Sequence, residues 1–136
     1  MLGRAAGRRE YLARFHAIDV CLDPFPYAGT TTTCDALWMG VPTVTLAGGT
    51  HVSRVGASLL AAVGLPGLIA RAPDEYVRAA TELASDLPRL AALRRGLRDR
   101  MLGSPLCDGP GLARELEAAY RHMWRLWCRT AGAAGG

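Results

Sequence analysis

The chain has 136 residues, half of them hydrophobic and 21% charged, which suits one globular domain with a modest core and excludes a disordered polymer. No apolar run approaches the roughly 20 residues of a membrane-spanning helix, and Met1 to Arg9 carry no apolar signal segment, so the expected setting is the cytoplasm, away from membranes. The net charge of +4 rests on sixteen arginines and no lysine; they are scattered, and Asp99 interrupts the densest group (Arg94, Arg95, Arg98, Arg100), which reads as a solvated helix face and not as a nucleic-acid patch.

The predicted elements alternate. Arg8 to His16 reads as a helix, with Tyr11, Leu12 and Phe15 at helical spacing. Ala17 to Asp23 has the composition of a strand. Pro24 and Pro26 forbid regular structure, so residues 23–29 form a loop. Thr30 to Met39 reads as a helix opened by hydroxyl residues, ended by Gly40 and barred from continuing by Pro42. Thr43 to Leu46 is β-branched and reads as the next strand. Gly48 and Gly49 mark a turn. Ser53 is placed to cap a helix from Arg54 to Val63, and Leu68 to Ala70 makes a third strand. Three helices follow, beginning at Pro73, Pro88 and Pro110 and reaching about Ser85, Met101 and Arg129. The last aligns Leu112, Leu116, Tyr120, Met123 and Trp127, and residues 131–136 read as a flexible tail.

Strands alternating with helices through short loops imply an α/β fold with about three parallel strands. Ligands of such sheets bind outside the carboxyl ends of the strands, where residues 23–33 and 47–53 fall. Three strands are few for a doubly wound sheet, so the chain is expected to represent part of a larger domain.

Four consecutive threonines, Thr30 to Thr33, suit a helix start better than a helix interior. The first amides of a helix lack internal partners and, with the dipole, form an anion site; Gly29 lets a ligand approach the backbone. Asp35, further along the same helix, is placed to accept hydrogen bonds from a ribose. Read alone, the turn is more often an ordinary helix cap. It is neither a Walker P-loop nor a dinucleotide fingerprint.

His51 is either a solvated loop residue or a donor-site residue, and Arg54 either offsets a diphosphate charge or pairs with a nearby carboxylate. His16 reads as a helix-end cation and His122 as a surface or packing residue. Trp38, Trp124 and Trp127 read as core or lobe-packing side chains. Asp19 and Asp23 share a strand face but read as turn and cap residues before an acid–base pair. The four cysteines have neither zinc nor redox spacing and read as free thiols.

The blocks Asp19 to Asp23, Gly29 to Pro42 and Ser53 to Ser58, followed by Ser104-Pro105-Leu106 and Tyr120-x-x-Met123-Trp124, together resemble the C-terminal part of protein O-GlcNAc transferases. They look most like bacterial relatives in which this region follows tetratricopeptide repeats. The resemblance implies a GT-B architecture of two Rossmann-like lobes, with residues 1–130 as a truncated C-terminal, donor-binding lobe. It implies UDP-N-acetylglucosamine or another UDP-sugar as donor substrate, no cofactor or metal, and inverting transfer to Ser or Thr of a protein acceptor. By the same resemblance Thr31 and Thr32, with Gly29 and Thr30, meet the diphosphate, and Asp35 meets the ribose. Thr30 stands where the animal enzymes have His. Arg8, Tyr11 and Arg14 fall where the family carries a Lys, a His and an Arg near the nucleotide; only Arg14 is identical, and Tyr11 is aromatic enough to stack on uracil. His51 and Arg54 are further donor-loop candidates. No residue of this chain is assigned as catalytic, because the family's N-terminal lobe falls outside the sequence, and the isolated chain is expected to be inactive. The alternative is a non-catalytic interaction domain that self-associates through an exposed sheet edge.

Overall fold

The structure, a computed structural model, describes residues 7–133. The elements run α1 (Arg8–Ala13), β1 (Cys21–Leu22), α2 (Thr31–Trp38), β2 (Thr43–Leu46), α3 (Val55–Ala62), β3 (Ile69–Ala70), α4 (Pro73–Ser85), α5 (Leu87–Leu102) and α6 (Gly109–Ala133). The three strands lie in the order β1-β2-β3, all parallel, with Cys21 opposite Thr43 and Thr45 opposite Ile69. The expected α/β sheet with flanking helices and a helical C-terminus is therefore present.

The core lies between β2 and the helices α2 to α5. Leu37, Val44, Leu60 and Leu97 are fully buried in it, and burial of such a side chain contributes about 1.5–3 kcal/mol. Gly40 ends α2 with a φ of 78°, a conformation that suits glycine, and its Cα faces the Arg94 carbonyl so closely that a side chain would collide. Arg94 in turn ties α5 to the start of β1. Its guanidinium donates to the Ile18 carbonyl at 2.6 Å and to the Asp19 carboxylate at 2.9 Å.

Several local expectations change. The first helix ends at Ala13 and passes into a 3₁₀ turn over Arg14–Ala17, which contains His16. The strand expected over 17–23 pairs only at Cys21 and Leu22, because β2 offers partners only after Pro42. Asp19 and Asp23 do not share a face: Asp19 is an exposed partner of Arg94, whereas Asp23 is buried. Ser53 does not cap α3. Arg54 occupies the cap position, and the Ser53 hydroxyl closes its own turn by accepting the Thr50 N–H at 3.0 Å and donating to the Thr50 carbonyl at 2.9 Å. No hydroxyl caps α2 either; the Thr33 hydroxyl instead donates back to the Gly29 carbonyl at 3.2 Å.

The aromatic residues of the last helix are not core. α6 packs mainly on the 3₁₀ turn Pro105–Cys107. Leu112, Leu116, Tyr120, Met123, Trp124 and Trp127 are all exposed, and the two indoles stack on each other with centroids 5.4 Å apart. Trp38 is half-exposed under the Arg98 guanidinium, 5.1 Å from its ring centre. The helix continues through residues 131–133, so the tail expected there is helical, and 134–136 lie outside the described residues. No helix among the described residues is long and apolar enough to cross a membrane.

Candidate functional site

All three strands are parallel, so their carboxyl ends open on one side, and the segments after β1, β2 and β3 meet there. The Ala28 N–H donates to the Val52 carbonyl at 3.0 Å, which joins the first two segments. The Ala47 N–H donates to the Ala70 carbonyl at 2.9 Å, which joins the second to the end of β3.

Asp23 organises this end of the sheet. Its buried carboxylate accepts the Gly29 N–H at 2.7 Å and the Thr45 hydroxyl at 2.6 Å. Its main-chain carbonyl accepts the Tyr76 hydroxyl at 2.9 Å. No ion pair among the described residues involves it. The carboxylate is thus held by hydrogen bonds, and it fixes the turn that delivers Gly29 to the start of α2. Gly29 and Gly56 have no room for a side chain: a Cβ on Gly29 would lie 2.9 Å from the Thr33 hydroxyl, and one on Gly56 would fall on the Asp23 carboxylate. Burial, and next to it the Asp23 charge, raises the Tyr76 phenol above its ordinary pKa.

The expected residues fall into two groups around the start of α2. The first group lies toward α1. Arg8 reaches Asp35 with an N–O distance of 3.0 Å, although Arg8 is largely exposed and Asp35 buried. Tyr11 faces the same carboxylate, and its phenol is pushed up by burial first and by Asp35 second. Arg8 and Tyr11 thereby converge on one carboxyl group. Asp35 is already engaged, so a ribose hydroxyl bound there would share it with Arg8 or displace it. Arg14 points elsewhere, pairing with Glu10 at 3.3 Å.

The second group lies toward α3. An open cleft of about 960 Å³ is lined by Thr30, Gly48, His51, Arg54 and Arg71 among others. Thr30 is the cap residue of α2 and Arg54 that of α3, and neither helix has a side chain closing its first amides. Both positive helix ends therefore face a cleft that also carries arginine and histidine, an arrangement that attracts an anion. Thr31 and Thr32 are exposed in the first turn of α2 beside it. Sequence reasoning missed Arg71 as a site residue. The signal was its place directly after β3, at the carboxyl end of the sheet. Asp23 reads in sequence as a turn or cap residue ahead of an acid–base partner, whereas its contacts make it the residue that holds both loops.

The cysteines are free: Cys107 and Cys128 are exposed, and burial raises the thiol pKa of half-buried Cys21 and Cys34. No group of three metal-binding side chains converges among the described residues.

Comparison with known proteins agrees with this geometry. Residues 1–116 match the profile of Glycosyl transferase family 41. The chain is 52% identical over 120 residues to the probable UDP-N-acetylglucosamine–peptide N-acetylglucosaminyltransferase SPINDLY of Arabidopsis thaliana, covering 88% of this chain and 13% of that protein. It is 40% identical over 124 residues to the probable enzyme of the same description, SEC, also from Arabidopsis thaliana, covering 90% of this chain and 13% of that protein. Among solved structures, a mutant O-GlcNAc transferase of Thermobaculum terrenum superposes with a TM-score of 0.84 at 46% identity, over 92% of this chain and 24% of that one. The chain thus spans a small part of the length of the relatives it matches. With residues 1–116 matched by the family profile and relatives up to 52% identical along most of its length, the chain belongs to glycosyl transferase family 41.

Proposed function

We propose that this chain is the donor-binding part of a protein O-GlcNAc transferase-like enzyme, taking UDP-N-acetylglucosamine for transfer to Ser or Thr hydroxyls. The observation that carries the proposal is the uncapped start of α2, held by Asp23 through Gly29 and opening on the cleft with His51 and Arg54. A diphosphate seated there meets the free amides of Thr31 and Thr32 and their hydroxyls, with Arg54 beside it. The nucleoside lies toward Asp35, Tyr11 and Arg8, and the sugar toward the cleft. In the transfer, the acceptor oxygen forms a bond to the anomeric carbon as the bond to the diphosphate oxygen breaks, inverting that carbon. The electron pair leaves with UDP, and the hydroxyl proton passes to a base outside the residues assigned here. The α2 amides act on the charge that develops on the departing phosphate, which is where preorganised donors lower a barrier most. We assign no chemical step to this chain alone, because transfer requires an acceptor held in register with the donor. The same reading places the protein in a GT-B architecture, in the cytoplasm, beside bacterial relatives with tetratricopeptide repeats.

Calorimetric titration of UDP and UDP-N-acetylglucosamine tests this. Wild type is expected to bind both, and Thr31→Ala/Thr32→Ala to weaken both at least tenfold. No heat at millimolar UDP overturns the reading for this chain; binding indifferent to the double substitution moves the phosphate site elsewhere.

The exposed face of α6 favours a second reading, a non-catalytic interaction domain. In that case UDP is not bound. Self-association, through α6 or the open edge of β1, would then appear as a concentration-dependent sedimentation coefficient.

A further inference from the structure

We infer that Arg71 is a further donor-binding residue, whose guanidinium takes the distal phosphate of the nucleoside diphosphate; the inference rests on the donor reading above. The chain has no lysine, so any long cationic contact to a phosphate from this chain is made by arginine. Of its sixteen arginines, Arg54 and Arg71 line the cleft that also carries Thr30, the cap residue of α2. They come from different segments, one opening α3 and the other following β3. No Asp or Glu lines the cleft. Among the described residues neither arginine forms an ion pair, whereas Arg8, Arg14, Arg78 and Arg94 each do. Two guanidiniums without an ion-pair partner in one concave surface give it a positive potential, which an anionic ligand would balance.

The backbone beneath Arg71 is fixed. Its N–H donates to the Glu75 carboxylate at 2.8 Å, and the preceding Ala70 carbonyl accepts the Ala47 N–H. Glu75 thus anchors the main chain of Arg71 and leaves its guanidinium to the cleft. The direction of the ligand follows from the two groups of residues. Asp35, Tyr11 and Arg8 cluster on the α1 side of α2, while Arg54 and Arg71 line, together with Thr30, the cleft on the α3 side. A nucleotide with its ribose at Asp35 points its outer phosphate toward Arg54 and Arg71. The inner phosphate stays at the α2 amides.

The test uses the full 136-residue chain, with UDP followed by calorimetry and UMP by competition against UDP. Arg71 is exposed, so Arg71→Ala and Arg71→Lys should fold, which circular dichroism verifies. We expect Arg71→Ala to weaken UDP about tenfold, the effect of losing one charge-assisted phosphate contact, and to change UMP less than about twofold. Arg71→Lys should recover part of the UDP affinity because it keeps the charge but loses the fork. If Arg71→Ala binds UDP like wild type while Thr31→Ala/Thr32→Ala does not, the donor site stands and Arg71 is no part of it. Equal losses for UDP and UMP overturn the distal assignment. A wild-type chain that binds no UDP overturns both this inference and the donor reading.

Discussion

Gly56 gives the sharpest test of how this end of the sheet is built. It is the second residue of α3, and helix propensity alone predicts that Gly56→Ala stabilises the chain by up to about 1 kcal/mol. The structure predicts the opposite. The added methyl would fall on the Asp23 carboxylate and lie 2.5 Å from the Thr45 hydroxyl, the two groups whose 2.6 Å hydrogen bond ties β1 to β2. Overpacking a core position costs about 1–3 kcal/mol. Displacing a hydrogen bond to a charged acceptor costs about 1.5–3 kcal/mol. Against a gain of at most about 1 kcal/mol, the net expectation is a loss of about 3 kcal/mol, or a fall in Tm of about 10 °C for a chain of this size. Gly96→Ala is the control. It sits within α5 with nothing within 4 Å of the new methyl, so there the propensity term acts alone and Tm should rise by a few degrees. Urea unfolding of both variants, followed by tryptophan fluorescence, reads the difference. A Gly56→Ala chain as stable as wild type would refute the packing argument and the role given to Asp23.

Two further outcomes follow from the titrating groups. Burial and the Asp23 charge raise the Tyr76 phenol above its ordinary value of 10.0, so the folded state prefers the neutral form. Its contribution to stability is complete below the unfolded value and is lost as pH rises through the folded one, so alkaline unfolding should steepen above about pH 10. Tyr76→Phe should lower stability at pH 8 by about 1 kcal/mol, through the lost bond to the Asp23 carbonyl, and soften that alkaline limb; an unchanged alkaline limb counts against this account. A colorimetric thiol reagent at pH 8 should modify Cys107 and Cys128 quickly and reach Cys21 and Cys34 only on unfolding, because the latter pair is half-buried with raised pKa. Four equally fast thiols in the native protein would contradict that burial.

What local chemistry governs was legible in the sequence. Pro73 with Asp74 and Glu75 marks the start of α4 at the residue where it begins, and Thr43 to Leu46 is the central strand with the expected bounds. Gly40 and Pro42 stop α2 where a left-handed turn is needed. The threonine turn was equally legible, because a helix start reveals itself through its own residues. Four threonines do not reveal which of their hydroxyls will cap; Thr33 bonds back to Gly29, and the first amides stay open.

Other features depend on partners far away in the chain. β1 is short because the parallel ladder begins only after Pro42, a limit set by β2 and invisible within residues 17–23. Ser53 had the right position for a cap, yet its hydroxyl found Thr50 in a closed turn. The aromatic stripe of α6 has the spacing of a packed helix, but spacing cannot say whether a surface exists to pack on; here it lies exposed.

By itself, then, the sequence determined the α/β alternation, the helix starts and the block order that marks the family, since each depends on residues a few positions apart. Only the tertiary structure decided that Asp23 is the post joining Gly29, Thr45 and Tyr76, that Arg8 and Tyr11 converge on Asp35, and that Arg71 shares a cleft with Arg54. The physical reason is the same in each case. A buried carboxylate or an unpaired guanidinium takes its role from what surrounds it in space, and parallel strands with helical crossovers bring together residues that the chain itself keeps far apart.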